Sequence, residues 1–294
     1  MRIVRFGLGI GICLLFYSDA AAKASETVRI VSLSPAITAM LHELNAEKTL
    51  VGITRYCAWS DEARDVARVG GALDPELESI LKVEPDMVLA GSLLPAHAQK
   101  KIERFGIQVE TFRQNRIADV LEQILWLGDL VGQSEFAKTK VLEANELLAA
   151  IQLSSNKPRS AIIAFADSLQ IVAGTGTYGS EVLKNAGFVN VAESLKLPWP
   201  TISKEWLLRN DPEWIVLASH IPGQAKTSFR QRCLNTWKRD PVLRALQAVQ
   251  KGQVLVIPDN QLGIPSLKLV EAVYYLRSAY QLRLEEGGVN HADH

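Results

Sequence analysis

Cysteine and methionine are scarce, three of each in 294 residues, and the formal net charge is zero. Cys13 falls in the leading apolar run, so only Cys57 and Cys233 remain for the body of the chain. A protein of this length builds an ample core without crosslinks. One disulfide is permitted in an oxidising compartment, but the expectation is two buried thiols. The balanced charge leaves no basic surplus for nucleic acid. The apolar run Phe6 to Tyr17 is too short to span a bilayer, which takes about 20 residues. GxxxxGKS, GxxxxGKT, HExxH and GxSxG are all missing, which removes the commonest nucleotide-phosphate, metalloprotease and serine-hydrolase signatures. The histidines His42, His97, His220, His291 and His294 are scattered. Of these, His97 and His220 lie in different halves, where they either meet in a cleft or stand solvated on the surface.

Residues 1–24 read as a cleavable signal peptide. Arg2 and Arg5 precede the apolar run, and small residues follow it, with cleavage after Ala22 or Ala24. Ile12 stands before Cys13 where a lipoprotein signal carries a small residue, which argues against lipidation. The expected product is an exported, near-neutral chain.

From Val28 onward, short β-branched runs alternate with helical periodicity: a strand Val28–Ser32, a helix Pro35–Leu44, a strand Leu50–Ile53, and so on to Phe112. Such alternation predicts an α/β layer fold. The stretch Ile117 to Ile151 holds no strand-like run, and a long helix is predicted from Glu135 to Gln152 with Ser134 as its cap. At 1.5 Å per residue it runs roughly 27 Å, the width of a small domain. A second α/β series begins at Ala161, and a helix from Ser266 to Leu284 precedes a polar tail expected to be loose.

An internal repeat organises this pattern. Glu78 to Leu89 matches Glu205 to Val216, each running from a glutamate through an apolar helix to a proline, an acidic residue and an apolar strand. The proline ends each helix because it lacks a backbone donor. Two Rossmann-like lobes with central parallel sheets, bridged by one long α-helix, are the predicted architecture: lobes 25–133 and 157–294, connecting helix 134–156.

Gly174-Thr-Gly176-Thr-Tyr-Gly179 satisfies GxGxxG, with Glu193 downstream where a dinucleotide site holds a ribose. An exported, duplicated chain makes a turn leading into a helix the stronger reading. Aromatic residues gather in loops: Tyr56 and Trp59 follow the second strand, and Trp199 stands between Pro198 and Pro200. Rigid rings there suit stacking on a large flat ligand, or ordinary packing.

Four segments together resemble the helical-backbone periplasmic substrate-binding proteins of ABC importers for cobalamin, siderophores and haem, the cobalamin-binding members above all. These are Arg29-Ile-Val-Ser-Leu-Ser-Pro35, Val51-Gly-Ile-Thr-Arg-Tyr56, Leu77-Glu78 through Pro85-Asp86, and Pro198-Trp199-Pro200 through Glu205. The resemblance covers nearly the whole chain after the signal peptide. It implies ligand contacts at Tyr56, Phe165, Trp199 and Asp259, with a corrinoid or ferric chelate as cargo, and the loop aromatic Trp59 is counted as a candidate ligand contact beside them. No resident cofactor, protein-bound metal or catalytic residue is implied. It also implies that Glu78 and Glu205 pair with arginines of a permease dimer that carries ATPase subunits. Ala72 and Gly263 depart from the cobalamin-binding members, which have a tryptophan and an arginine there. Three other functions stay open: a haem or metal-ion binder using His97 and His220, an oxidoreductase using the Gly174 loop, and a ligand-free interaction or sensory module.

Overall fold

The structure, a computed structural model, describes residues 27–57, 65–152, 158–219 and 226–289, with the backbone alone at 152, 259, 260 and 282–289. The first half runs β1 (Ile30–Ser32), α1 (Pro35–Glu43), β2 (Leu50–Ile53), β3 (Ala67–Arg68), α2 (Leu77–Lys82), β4 (Met87–Gly91), α3 (Ala96–Glu103), β5 (Gln108–Phe112) and α4 (Ile117–Leu130). Helix α5 (Ser134–Gln152) follows. The second half runs β6 (Arg159–Ala164), α6 (Tyr178–Asn185), β7 (Phe188–Asn190), α7 (Lys204–Asn210), β8 (Trp214–Ser219), α8 (Lys226–Arg239), α9 (Gln247–Gln250), β9 (Val254–Pro258), α10 (Asp259–Leu262) and α11 (Lys268–Val289).

All the described strands pair in parallel, in two sheets of order β3-β2-β1-β4-β5 and β7-β6-β8-β9. Apart from edge strand β3, the second order reproduces the first, so β1, β2, β4 and β5 correspond to β6, β7, β8 and β9. The α/β plan of two parallel-sheet lobes joined by a long helix is thus the observed one. The sequence repeat is also a backbone repeat. Glu84 (φ 43°) and Asp211 (φ 35°) are left-handed just before Pro85 and Pro212, since proline bars the preceding residue from helical geometry. The next acidic residue then ties helix to sheet. Asp86 accepts from the Arg29 N–H at 2.7 Å, and Glu213 from the Ser160 N–H at 3.3 Å, each at the start of the central strand.

Buried on both faces, the central strands read as continuous apolar runs. Ile30 and Leu89 of one sheet, and Ile163 and Val216 of the other, face a single hydrophobic cluster that also takes in α1, α4, α5, α6 and α11. Val31 and Val88, and likewise Ile162 and Ile215, face away into separate clusters behind each sheet. A core common to both lobes stiffens their relation.

Gly132 (φ 72°) turns the chain between α4 and α5, with the Gln133 N–H bonding the Gly128 carbonyl at 2.7 Å. Helix α5 begins at Ser134 itself rather than after it, and α11 continues five residues past the expected end at Leu284. Helix propagation needs only one favourable bond per added residue, and Leu284-Glu285-Glu286 are good helix formers, so the tail beyond Leu284 extends the helix. Among the described residues no helix is long and apolar enough to cross a membrane. The proposed signal peptide, Trp59, His220 and the end of the expected connecting helix lie outside the described residues.

Candidate ligand cleft

A cavity of about 320 Å³ opens between the lobes at the carboxyl ends of the strands. Leu33 to Ala36 after β1 and Ser92 and Leu93 after β4 form one wall, while Tyr178, Trp199 and Ile264 form the other. Ala72 and Gly263 line it as well. The two positions that depart from the cobalamin-binding pattern therefore face one space, and their small side chains leave it open.

Trp199 is 41% exposed. Its ring meets Phe165 edge-on at 5.4 Å and Tyr178 at 5.3 Å, so two of the three rings face the cavity and Phe165 backs them. Burial pushes the Tyr178 phenol up, well away from a phenolate. Tyr56 is 66% exposed, on the loop after β2, with Arg55 over its ring at 5.8 Å. Arg55 is bonded in turn to Asp74 at 2.8 Å, and a side chain at Gly71, next to Ala72, would come within 3.4 Å of the Tyr56 ring. Asp259 begins α10, four residues before Gly263 in the chain. Phe165, Tyr178 and Trp199 are brought together, with Tyr56 nearer the Ala72 side.

The glycine-rich loop has a structural task. Leu169–Ala173 is no sheet strand. It makes isolated antiparallel bridges, Val172 with Ala164 and Ile171 with Thr201. Gly174 donates to the Pro198 carbonyl at 2.7 Å, Thr175 to Leu197 at 3.0 Å and Val172 to Pro200 at 3.2 Å. A Cβ on Gly174 would sit 2.0 Å from the Leu197 carbonyl oxygen. Thr177 caps α6 by accepting from the Ser180 N–H, and Glu193 accepts from the Ser180 hydroxyl at 2.6 Å. The residues of the dinucleotide pattern thus seat Trp199 and start a helix.

Glu78 and Glu205 are both exposed, and each is the second residue of its helix, α2 and α7. Backbone and Ser203 hydrogen bonds lower the Glu205 pKa, so it stays ionised. Cys57 and Cys233 are both buried free thiols. Cys57 contacts the Thr54 hydroxyl at 3.1 Å; burial pushes Cys233 up to about 11. Among the described residues no three of His, Cys, Asp or Glu gather as metal ligands, and His97 is exposed on α3.

Sequence reasoning missed Gln114, Asn115, Tyr178 and Ile264 at this cavity. A usable signal existed for the first two, since ligands of open parallel sheets bind beyond the carboxyl ends of strands and Gln114 follows β5.

The sequence pattern of the periplasmic binding proteins matches residues 30–261. The vitamin B12-binding protein of Photorhabdus laumondii is 25% identical over 243 residues, covering 81% of this chain and 85% of that protein. The cobalamin-binding protein of Halobacterium salinarum is 24% identical over 273 residues, covering 90% of this chain and 72% of its own. Among solved structures, the periplasmic vitamin B12 binding protein of Vibrio cholerae shares the fold with a TM-score of 0.73 at 21% identity, covering 86% of this chain and 96% of that one. A periplasmic haem binding protein from Pseudomonas aeruginosa matches with a TM-score of 0.69 at 26% identity, covering 85% of this chain and 91% of that one. With a two-lobed parallel fold, a cleft at the strand ends and a family pattern spanning most of its length, the chain belongs to the periplasmic binding protein family.

Proposed function

We propose that this chain is the substrate-binding component of an ABC importer. It captures a metal chelate, cobalamin or a ferric siderophore, between its lobes and delivers it to a permease dimer with its ATPase subunits. The observation that carries this reading is the cavity between the lobes, with the Trp199 and Tyr178 rings on one wall. At about 320 Å³ it is at the small end of ligand pockets, so it receives one face or rim of a chelate of several hundred daltons. Tyr56, Phe165, Trp199 and Asp259 are proposed as its contacts, with Trp59. The protein makes and breaks no bonds, and its signal peptide places it in the periplasm.

Glu78 and Glu205 are proposed as the permease contacts. Their equivalent places in the repeat give a pseudo-twofold pair of carboxylates, which a twofold permease meets with one subunit per lobe. Arginine suits that role because its planar fork pairs bidentately with carboxylate.

The test is direct titration of the mature protein with cyanocobalamin, a ferric siderophore and haemin, followed by tryptophan fluorescence. Saturable quenching by one of them, lost in Trp199→Ala, is expected. No response to any overturns the chelate reading. Haem as cargo is supported by the likeness to the Pseudomonas protein, and the haemin titration decides it.

A further inference from the structure

Two hydroxyls on opposite walls of the cavity between the lobes have nothing to bind. Ser34 stands just before α1 in the first lobe, and Tyr178 is the first residue of α6 in the second. Both line the cavity and each is only 7% exposed. Neither hydroxyl oxygen has a hydrogen-bond partner among the described residues. Neither belongs to the fully enclosed, unpartnered polar atoms of those residues. Each therefore keeps an open face, and the open space the two share is the cavity.

The free serine is unusual for its place. A serine preceding a helix ordinarily accepts from an N–H of the first turn. Thr177 does so before α6, where its hydroxyl accepts from the Ser180 N–H at 3.2 Å and donates to the Gly174 carbonyl at 2.8 Å. Ser34 makes no such bond. Its backbone is satisfied by Ser32 instead, whose hydroxyl donates to the Ser34 carbonyl at 3.0 Å and accepts from the Ser34 N–H at 3.4 Å. A Cβ on Gly91 would stand 3.6 Å from the Ser34 hydroxyl, so the glycine leaves the approach to it clear. On the facing wall the Tyr178 ring is set against Trp199 at 5.3 Å. Burial is the whole cause of the phenol's raised pKa, so neither a charge nor a hydrogen bond reaches it from the protein. A nearly buried hydroxyl without a partner is costly, and native folds keep few of them.

Building on the chelate reading, we propose that Ser34 and Tyr178 are ligand-binding hydroxyls, one from each lobe, that hydrogen-bond uncharged carbonyl-type oxygens of the captured chelate, those of carboxamides or hydroxamates. Among the described residues no charged side chain lines the cavity. A carboxylate entering it would lose its hydration with only neutral donors in return. An uncharged carbonyl loses less and gains a hydrogen bond at each wall. Because the two donors belong to different lobes, a ligand that meets both also fixes its own orientation across the cleft.

Calorimetric titration of the mature protein uses three probes: cyanocobalamin, whose rim carries carboxamides; ferrichrome, an uncharged ferric hydroxamate; and haemin, whose rim carries carboxylates. One of the two uncharged probes is expected to bind more tightly than haemin, and which one it is tells carboxamide from hydroxamate. For that probe, Tyr178→Phe and Ser34→Ala should each weaken affinity about fivefold, as befits a neutral hydrogen bond, and the double variant should multiply the two losses. Neither hydroxyl binds the protein, so the unfolding midpoint of the free protein stays in place in both variants, which a structural role would not allow. If either variant binds within twofold of wild type, the paired assignment is overturned and the chelate reading stands. Haemin bound in preference to both uncharged probes overturns the selection and keeps the importer; binding of none of the three overturns both.

Discussion

Glu181, on α6 of the second lobe, accepts a hydrogen bond from the backbone N–H of Ile117, the first residue of α4 in the first lobe, at 2.7 Å. A reciprocal contact runs the other way: Glu43, on α1, accepts from the Ser266 hydroxyl at 2.8 Å and the Leu267 N–H at 3.1 Å, just before α11. Each lobe's first helix thus holds the start of the other lobe's last helix. The segments so held, Gln114-Asn115 and Gly263-Ile264-Pro265, line the cavity. Removing Glu181 leaves a buried N–H without its charged acceptor, so Glu181→Ala should lose about 2 kcal/mol of stability in urea unfolding, with faster hydrogen exchange at the Ile117 amide. Glu181→Gln, which keeps an acceptor, should lose less. The shared core and these two ties also predict little change in scattering radius between free and chelate-bound protein. A change of several ångströms would contradict it.

Gly174 is a packing requirement of the Trp199 loop. The Leu197 carbonyl lies where any side chain would begin, so Gly174→Ala must push the loop off the turn. The expected loss is about 1–3 kcal/mol, with a red-shifted tryptophan emission as Trp199 leaves Phe165 and Tyr178. An NAD titration of the wild-type protein should show no binding; saturable binding would return the loop to the dinucleotide reading.

Glu78→Arg and Glu205→Arg reverse exposed charges far from any buried partner, so each variant should fold and bind chelate as wild type does. Uptake into cells or permease-containing vesicles should fall steeply for either variant and vanish for the double variant. Undiminished uptake in the double variant would remove the docking assignment.

Two carboxyl groups bend the pH dependence of stability in opposite senses. Asp240 is pulled down to about 2 by its bond to Lys204, with help from the Leu243 and Val242 N–H groups. The unfolded chain then binds its proton more readily, so this contribution is complete above about pH 4 and is lost as pH falls toward 2. Glu43 is raised, chiefly by burial. Its contribution therefore declines as pH climbs from the unfolded carboxylate value, about 4.3, through the raised folded one. Denaturant midpoints measured against pH should show Asp240→Asn flattening the acid limb and Glu43→Gln removing the decline above it.

Much of the fold was readable because it is written locally. Continuous apolar runs such as Met87–Ala90 belong to strands buried on both faces, and Pro85 and Pro212 punctuate the repeat at equivalent points. Strand β3 escaped notice because Ala67–Arg68 is two residues long. The aromatic cluster was half legible. Proline-flanked Trp199 marked itself, but its neighbour Tyr178 sat inside a glycine pattern that pointed elsewhere. The reciprocal glutamates carry no local signature at all, since Glu43 and Ser266 are brought together only by tertiary structure, 223 residues apart.

The central claim, capture of a chelate between the lobes, is tested most directly by thermal unfolding of the mature protein with cyanocobalamin, ferric siderophores and haemin. A ligand at one hundred times its dissociation constant adds about 2.7 kcal/mol of stability. A raised midpoint with one of these ligands, growing with its concentration and absent in Trp199→Ala, is the predicted result; an unchanged midpoint with all of them would contradict the account.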